Sequence, residues 1–387
     1  MSAAEISVEG DWQDKARAFA RARLRLYGAQ TVIGLLFPLL FWYFGGSAGL
    51  ERLFGPLSSL RWAEVVLFLL VYEAITVSIF LPFSFYGGFI LQHRFGLSCQ
   101  NRSAWMSDWV KSTAIGTFFF VAGMTAFYLM VPAFPDRWWW ILAIVLSAIA
   151  LLLTYVAPVL LLPIFYKRSP VRDEDLVKRI RALADKAGAH ISQIYAIDMS
   201  RRTVAANAAL TGIGRTRQVL LGDTMLQQFS PDEVETVVAH ELGHHVHGDI
   251  WKGLGLEIVG VWIGLFLLQY LVRPVFLLTG IGDISALANL PVLLFLGEAA
   301  SLVLMPAANA VSRHYEAEAD AFAARTSRMP EAYAAALYRL AKQNLSELWP
   351  PRWVEVLLYT HPAIGRRMAA VSGREDEGEV FRRTGTG

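Results

Sequence analysis

His240, Glu241 and His244 fall within one helical turn in the run VVAHELGHHVHGD, with His245, His247 and Asp249 crowded behind them. Positions i and i+4 of a helix share a face, so two imidazoles spaced this way reach one divalent ion. A carboxylate next to the first histidine stands beside that ion and takes a proton from its bound water. The chemistry this pattern offers is activation of a metal-bound water, with Glu241 as the base. The bland alternative is a surface helix that happens to carry histidines.

A catalytic zinc needs a third protein ligand and an open fourth position. His247 lies three residues after His244 on roughly the same face, but one short helix does not easily wrap a tetrahedral ion with ligands from consecutive turns. Ten residues after His240, where a third histidine would serve, stands Ile250. The remaining source is distant, in NAVSRHYEAEADAFAART at 309–326. Glu316 and Asp320 are i and i+4 there, so Glu316 can ligate while Asp320 accepts the other ring N–H of a ligating histidine. Glu318 is about 200° around the helix from Glu316 and points elsewhere. A solvated acidic face is the alternative for all three acids.

These residues need elements to hold them. Ser230 is placed as an N-cap, Pro231 as the first helical residue and Glu233 as the partner in a capping box, so the helix carrying His240 starts well upstream of it. Its amphipathic lead-in is Glu235, Val237 and Val238. From Gly253 the chain turns lipid-soluble. Of 387 residues, 55% are hydrophobic and 18% charged, against about 25% charged in soluble domains, and the mean hydropathy is +0.41. Six segments, roughly 27–46, 64–90, 112–132, 138–165, 253–275 and 287–310, reach the ~20 apolar residues that cross a bilayer. RWWW at 137–140 resembles an interfacial aromatic belt. Lys and Arg concentrate in alternate loops, which predicts both termini and the 166–252 insert in the cytoplasm. Residues 1–26 are polar and basic and lead into a retained helix rather than a cleaved signal.

The insert reads as a small α+β unit. Leu176, Ile180, Leu183 and Ala184 recur at helical period before a stop at Gly188, and QIYAIDMS and RQVLLGD read as short strands. The chain then divides as 1–165, a basic tail and four spans; 166–252, the insert; 253–311, two spans; and 312–387, a third-ligand helix ending in a polar, Gly-rich tail expected to be disordered. A net charge of +2 without a dense basic run speaks against nucleic acid. The single cysteine, Cys99, excludes a thiolate metal site and an internal disulfide. Glu73 and Glu298 sit within apolar segments, facing either a polar interior or a span's end.

Taken together, these motifs resemble the type I CAAX prenyl endopeptidases, integral-membrane gluzincin metalloproteases. VVAHELGHHVHGD resembles the family's zinc helix, and SRHYEAEADAFA its third-ligand segment with Glu316 at the ligand position. ANAALTGIGRTRQVLLGDTML resembles its Asn-Ala strand and the strand that follows. YTHPAIGRR resembles its C-terminal His-Pro…Arg signature, matching His361 and Arg367, and LLLPIFYKRSPV the close of its first membrane block. The likeness runs from about 60 to 372. The family usually shows seven spans and six are counted here, so the first is the one expected to be missing.

The resemblance implies a mainly α, multi-pass transmembrane fold with a small cytoplasmic α+β zinc-metalloprotease domain. It implies one Zn2+ per chain on His240, His244 and Glu316, with Asp320 behind a histidine and Glu241 as base. His361 would bind the oxyanion. Arg367 would hold a substrate carboxylate or brace Glu316, and Asn207 and Ala208 would line an extended substrate backbone. Read singly, His361 is a helix-start residue before Pro362, Arg367 a basic surface residue and Asn207 a turn residue. The substrate would be a membrane-associated protein, prenylated or not, cut near its C-terminus, and the bilayer the other partner. The competing reading within proteolysis is a membrane-protein quality-control protease, whose relatives place the zinc helix after two spans rather than four. A scaffold or transporter has no need of a base beside two ligands.

Overall fold

A computed structural model of the protein describes residues 3–212, 214 and 217–373. The Gly-rich tail expected to be disordered lies outside the described residues. The first helix, α1 (Ala3–Tyr43), runs unbroken from the basic N-terminal stretch through the first span. It is followed by α2 (Gly46–Phe54), α3 (Arg61–Phe85), α4 (Leu91–Arg94), α5 (Arg102–Ala133), α6 (Trp138–Leu160) and α7 (Leu162–Phe165). Then come β1 (Arg168–Pro170), α8 (Glu174–Lys186), β2 (Gln193–Ile197), β3 (Ala208–Thr211), β4 (Gln218–Gly222), α9 (Asp223–Gln228) and α10 (Pro231–His247). The chain ends with α11 (Asp249–Leu267), α12 (Arg273–Leu278), α13 (Leu290–Ser327), α14 (Pro330–Gln343), α15 (Arg352–Leu358) and α16 (Ile364–Ser372).

Among the described residues, six helical stretches are long and apolar enough to cross a membrane: Asp11–Tyr43, Arg61–Arg94, Arg102–Ala133, Trp138–Val156, Asp249–Leu278 and Leu287–Ser327. Six is the number counted from the sequence. Their outward side chains include Leu36, Phe118, Leu152, Leu256, Ile263 and Val303, all exposed. Helices satisfy their own backbone polar groups, so such apolar faces are stable against lipid and not against water. A cluster of Phe68, Leu69, Tyr72, Tyr128, Trp138 and Leu287 joins the spans. Trp138 is fully buried there, with its indole N–H donating to Gln269 Oε1 at 2.7 Å. The RWWW run is therefore split between packing and surface instead of forming one belt, because helical rotation turns Trp138 inward while Trp140 stays exposed.

The α+β unit has a four-stranded sheet in the order β1-β2-β4-β3. The β2–β4 pair is parallel (Ile194 opposite Val219), while β1–β2 and β3–β4 are antiparallel (Ala209 opposite Leu220). That topology leaves β3 at an edge, next to α10. The four predicted apolar positions of α8 are all buried, against Val219, Leu221, Val238, Leu242 and Tyr333. Gly188 adopts φ +65, the left-handed conformation that stops the helix. Strand β1 was not expected; three exposed residues including a proline carry no periodic signal.

The basic N-terminal stretch is also packed. Trp12, Ala16 and Phe19, spaced i, i+4, i+7, bury with Leu91, Leu97, Ala341 and Leu345. Trp12 Nε1 donates to the Tyr338 hydroxyl at 3.2 Å, and the Leu348 N–H donates to Gln13 Oε1 at 3.2 Å. The first half of α1 therefore clamps the end of α14.

Candidate active site

The capping box at the start of α10 is formed as the sequence suggests. Ser230 Oγ accepts from the Glu233 N–H at 3.3 Å, and Glu233 accepts from the Ser230 N–H at 2.7 Å. Gly248, at φ 72, ends α10, and α11 begins at once with Asp249. That turn folds Asp249 back so that Oδ2 lies 2.9 Å from His244 Nδ1. Along α10 the chain approaches α13 closely at Gly243. A Cβ there would stand 3.0 Å from the Ala319 Cα and 3.2 Å from its carbonyl oxygen. Small residues at this crossing let the backbones meet and carry Glu316 onto the histidines.

The convergence is tight. His240 Nε2 and His244 Nε2 are 3.2 Å apart, Glu316 Oε1 is 3.3 Å from His244 Nε2, and Glu316 Oε2 is 3.4 Å from His240 Nε2. Both histidines are held from behind. His240 Nδ1 is 2.9 Å from Asp320 Oδ1 and 2.9 Å from the Tyr333 hydroxyl, and His244 Nδ1 faces Asp249. Carboxylates at both Nδ1 atoms favour the Nδ1–H tautomer, which leaves both Nε2 lone pairs pointing inward.

The residues fit a metal ion on three grounds. Two lone pairs and a carboxylate aimed at one point repel unless a cation lies between them. Glu316 Oε2 is a buried oxygen without a hydrogen-bond partner among the described residues. Donors ~2.0–2.1 Å from a tetrahedral zinc stand about 3.3 Å apart, and the three separations match that spacing. His240, His244 and Glu316 are the one group of this kind among the described residues.

Burial favours the neutral His240 ring, but the carboxylates of Asp320 and Glu316 beside it outweigh burial and push the ring up to about 9. Burial likewise raises the Glu241 carboxyl, while the positive fields of His240 and His244 pull it back. The Leu210 backbone N–H, on the edge strand β3, donates to Glu241. His361 Nε2 stands 3.1 Å from Glu316 Oε1 on a ring 56% exposed, with Nδ1 held by Thr360 Oγ1 at 2.8 Å.

Arg367 forms a two-pronged pair with Asp320, Nη2 to Oδ1 at 2.7 Å and Nε to Oδ2 at 2.8 Å, and reaches Glu316 Oε2 at 3.5 Å. Its fork is thus closed on Asp320, and the contact with Glu316 is the longer one. Asn207 is exposed at the start of β3, its carbonyl accepting from the Gly222 N–H at 2.9 Å, and Ala208 is buried. Glu318 faces away, toward His314 and Lys252. His247 packs its ring edge on Phe322. Sequence reasoning passed over Tyr333, Gly243 and the role of Asp249. Of these, only Asp249 had a local signal, an acid placed just past a glycine stop one turn after His244.

A cavity of about 880 Å³ opens in front of the site. His240, Glu241, His361 and Arg367 line it, together with Asn207 and Ala208.

Comparison with known proteins agrees with this architecture. Residues 170–375 match peptidase family M48, and residues 4–167 match the CAAX prenyl protease N-terminal region, described as five membrane helices. Four helices long enough to span lie in that part of this chain. The chain is 30% identical over 329 residues to an uncharacterized metalloprotease, YhfN, of Bacillus subtilis, covering 82% of this chain and 76% of that protein. It is 30% identical over 257 residues to CAAX prenyl protease 1 of Saccharomyces cerevisiae, covering 62% of this chain and 55% of that protein. The crystal structure of S. mikatae Ste24p superposes with a TM-score of 0.82 over 93% of this chain and 89% of that one. At 24% identity this last likeness speaks for the fold.

Proposed function

This chain belongs to peptidase family M48 and is an integral-membrane metalloendopeptidase, and from that premise we propose that it uses one zinc ion to cut membrane-associated proteins near their C-termini. His240, His244 and Glu316 would hold the ion. Zinc, when bound, polarises a carbonyl and lowers the pKa of its water toward ~7. Glu241 takes the proton of the attacking water and returns it to the leaving amine. A carboxyl raised by burial suits both halves of that transfer near neutral pH. His361, exposed beside Glu316, donates to the oxyanion that develops on the carbonyl. The free edge of β3 receives the substrate as an added strand, with Asn207 and Ala208 alongside. Asp320, Tyr333 and Arg367 keep His240 aimed.

The observation that carries this reading is the triangle of 3.2, 3.3 and 3.4 Å between three ligand atoms with Glu241 next to an open strand edge. The zinc-bearing α10 runs directly into the membrane-crossing α11, and Glu316 lies on the extension of the last span. Two spans thus bring both ligand segments to the rim of the bilayer, where a lipid-held chain end arrives. The distribution of Lys and Arg in the loops supports a cytoplasmic rim. Peptide cleavage by the purified chain, lost in Glu241→Gln with metal content still near one per chain, tests the mechanism. Cleavage by that variant at the wild-type rate would end it. A prenylated C-terminal peptide assayed beside its unmodified twin tests the substrate class, and equal turnover of unfolded proteins would favour the quality-control reading.

A further inference from the structure

Arg367 is the cation nearest the catalytic groups, and it is already committed. Its fork is closed on Asp320, its Nη2 lies 3.3 Å from the Tyr333 hydroxyl, and its side chain is 10% exposed. The cations available to a ligand stand elsewhere in the same cavity. Burial of Trp12, Ala16 and Phe19 fixes the rotation of α1. Arg17 and Arg21, one turn apart, then line the 880 Å³ space that also holds Glu241 and His361. Both are exposed. The ion pair of Arg17 is with Asp14 at 3.3 Å, between side chains 48% and 75% exposed, a pairing worth little in water. Arg21 makes no ion pair among the described residues. The acid lining the same wall is Glu347, outside ion-pair distance of either arginine. Burial raises its carboxyl, and the fields of Arg17 and Arg21 draw it back. Arg23 lines the same space, with its guanidinium over the Phe19 ring at 5.7 Å. Guanidinium groups at the wall of a concave, partly apolar space focus positive potential into it, and the forks of Arg17 and Arg21 match a carboxylate.

We propose that Arg17 and Arg21 form an anion subsite for the free α-carboxylate of the substrate's last residue. The proposal rests on the endopeptidase reading above. An extended peptide spans about 3.3–3.6 Å per residue. A carboxylate anchored on the α1 side of the cavity therefore sets how many residues separate the chain end from the bond presented to Glu241. The site selects chain ends over internal loops by charge, and α1 is part of the substrate-binding machinery rather than only a membrane anchor.

The test uses the full chain in neutral detergent and two fluorogenic peptides that differ only in ending as an acid or an amide. The wild type is expected to favour the acid in kcat/KM by about 10-fold or more, the scale of a charge-assisted contact. Arg17→Gln with Arg21→Gln brings the acid-to-amide ratio toward one, and the paired Lys substitutions keep most of it. Binding of the same labelled peptides to Glu241→Gln is read by anisotropy. There the two added Gln substitutions weaken Kd for the acid by about 10-fold. An acid-to-amide ratio in the Gln pair equal to that of the wild type overturns the proposal. So does a Gln pair that loses only stimulation by phosphatidylglycerol vesicles, which would assign the arginines to a lipid headgroup. A wild type that cleaves neither peptide removes the endopeptidase reading, while the anisotropy arm still decides the subsite.

Discussion

The cavity is lined by two unlike groups of side chains. Around the triangle of His240, His244 and Glu316, side chains hold one another. His240 is backed by Asp320 and Tyr333, His244 by Asp249, and Asp320 by both prongs of Arg367. On α1, Arg21 has no ion pair among the described residues and Arg17 shares one with an exposed aspartate. The contrast follows from what each group must do. Ligand atoms have to sit within a fraction of an ångström of their working positions, so their orientation is set in advance. A long-range charge that gathers a mobile chain end needs reach rather than rigidity. Damage should therefore be steep around the triangle and graded at the arginines.

The largest effect is expected at the triangle. Glu316→Gln removes the one charged ligand, and elemental analysis should find little metal and no turnover, while Glu241→Gln keeps the metal and loses about 10²–10⁴-fold in kcat. Next come the residues behind the ligands. Tyr333→Phe and Asp249→Asn each should weaken metal affinity about 10- to 100-fold in chelator competition, with the protein still folded. If both variants held the metal as tightly as the wild type, the triangle would be no more organised than the arginines of α1. Gly243→Ala sharpens the comparison without touching a ligand. Its Cβ meets the Ala319 backbone at 3.0 Å, so α10 and α13 must part, costing about 1–3 kcal/mol. Thermal unfolding should shift down and metal affinity fall with it. Preserved affinity would show that Glu316 does not depend on that close crossing.

The smallest effect is with pH. His240 is pushed up to about 9, so in the ion-free protein its proton contributes stability below the ordinary value near 6.5, lost as pH rises through about 9. An incoming ion competes with that proton. Metal affinity should thus climb between pH 6.5 and 9 and level off above, as a titration with a chelator at fixed concentration would reveal.

Much of this was legible because it is local. The face of α8, the cap at Ser230, six apolar helices and the i, i+4 pairing of His240 with His244 and of Glu316 with Asp320 each depend on a few consecutive residues. Helical period makes such features readable without knowing what they touch. The N-terminal stretch was harder. Its charges read as a basic tail, and Trp12, Ala16 and Phe19 are a sparse stripe whose partners lie more than seventy residues away. The run at 137–140 misled for a related reason, since which tryptophan turns inward depends on neighbours and not on composition.

Residue types and short spacings thus dictated that a two-histidine helix with its base, and an acidic pair on another helix, would exist at the ends of membrane spans. Packing settled that they meet. The backbones of Gly243 and Ala319 come together, Tyr333 arrives from α14, and Arg367 closes on Asp320. These are contacts between elements distant in the chain. Their energies come from burial and close approach, which appear only once the helices have a common core.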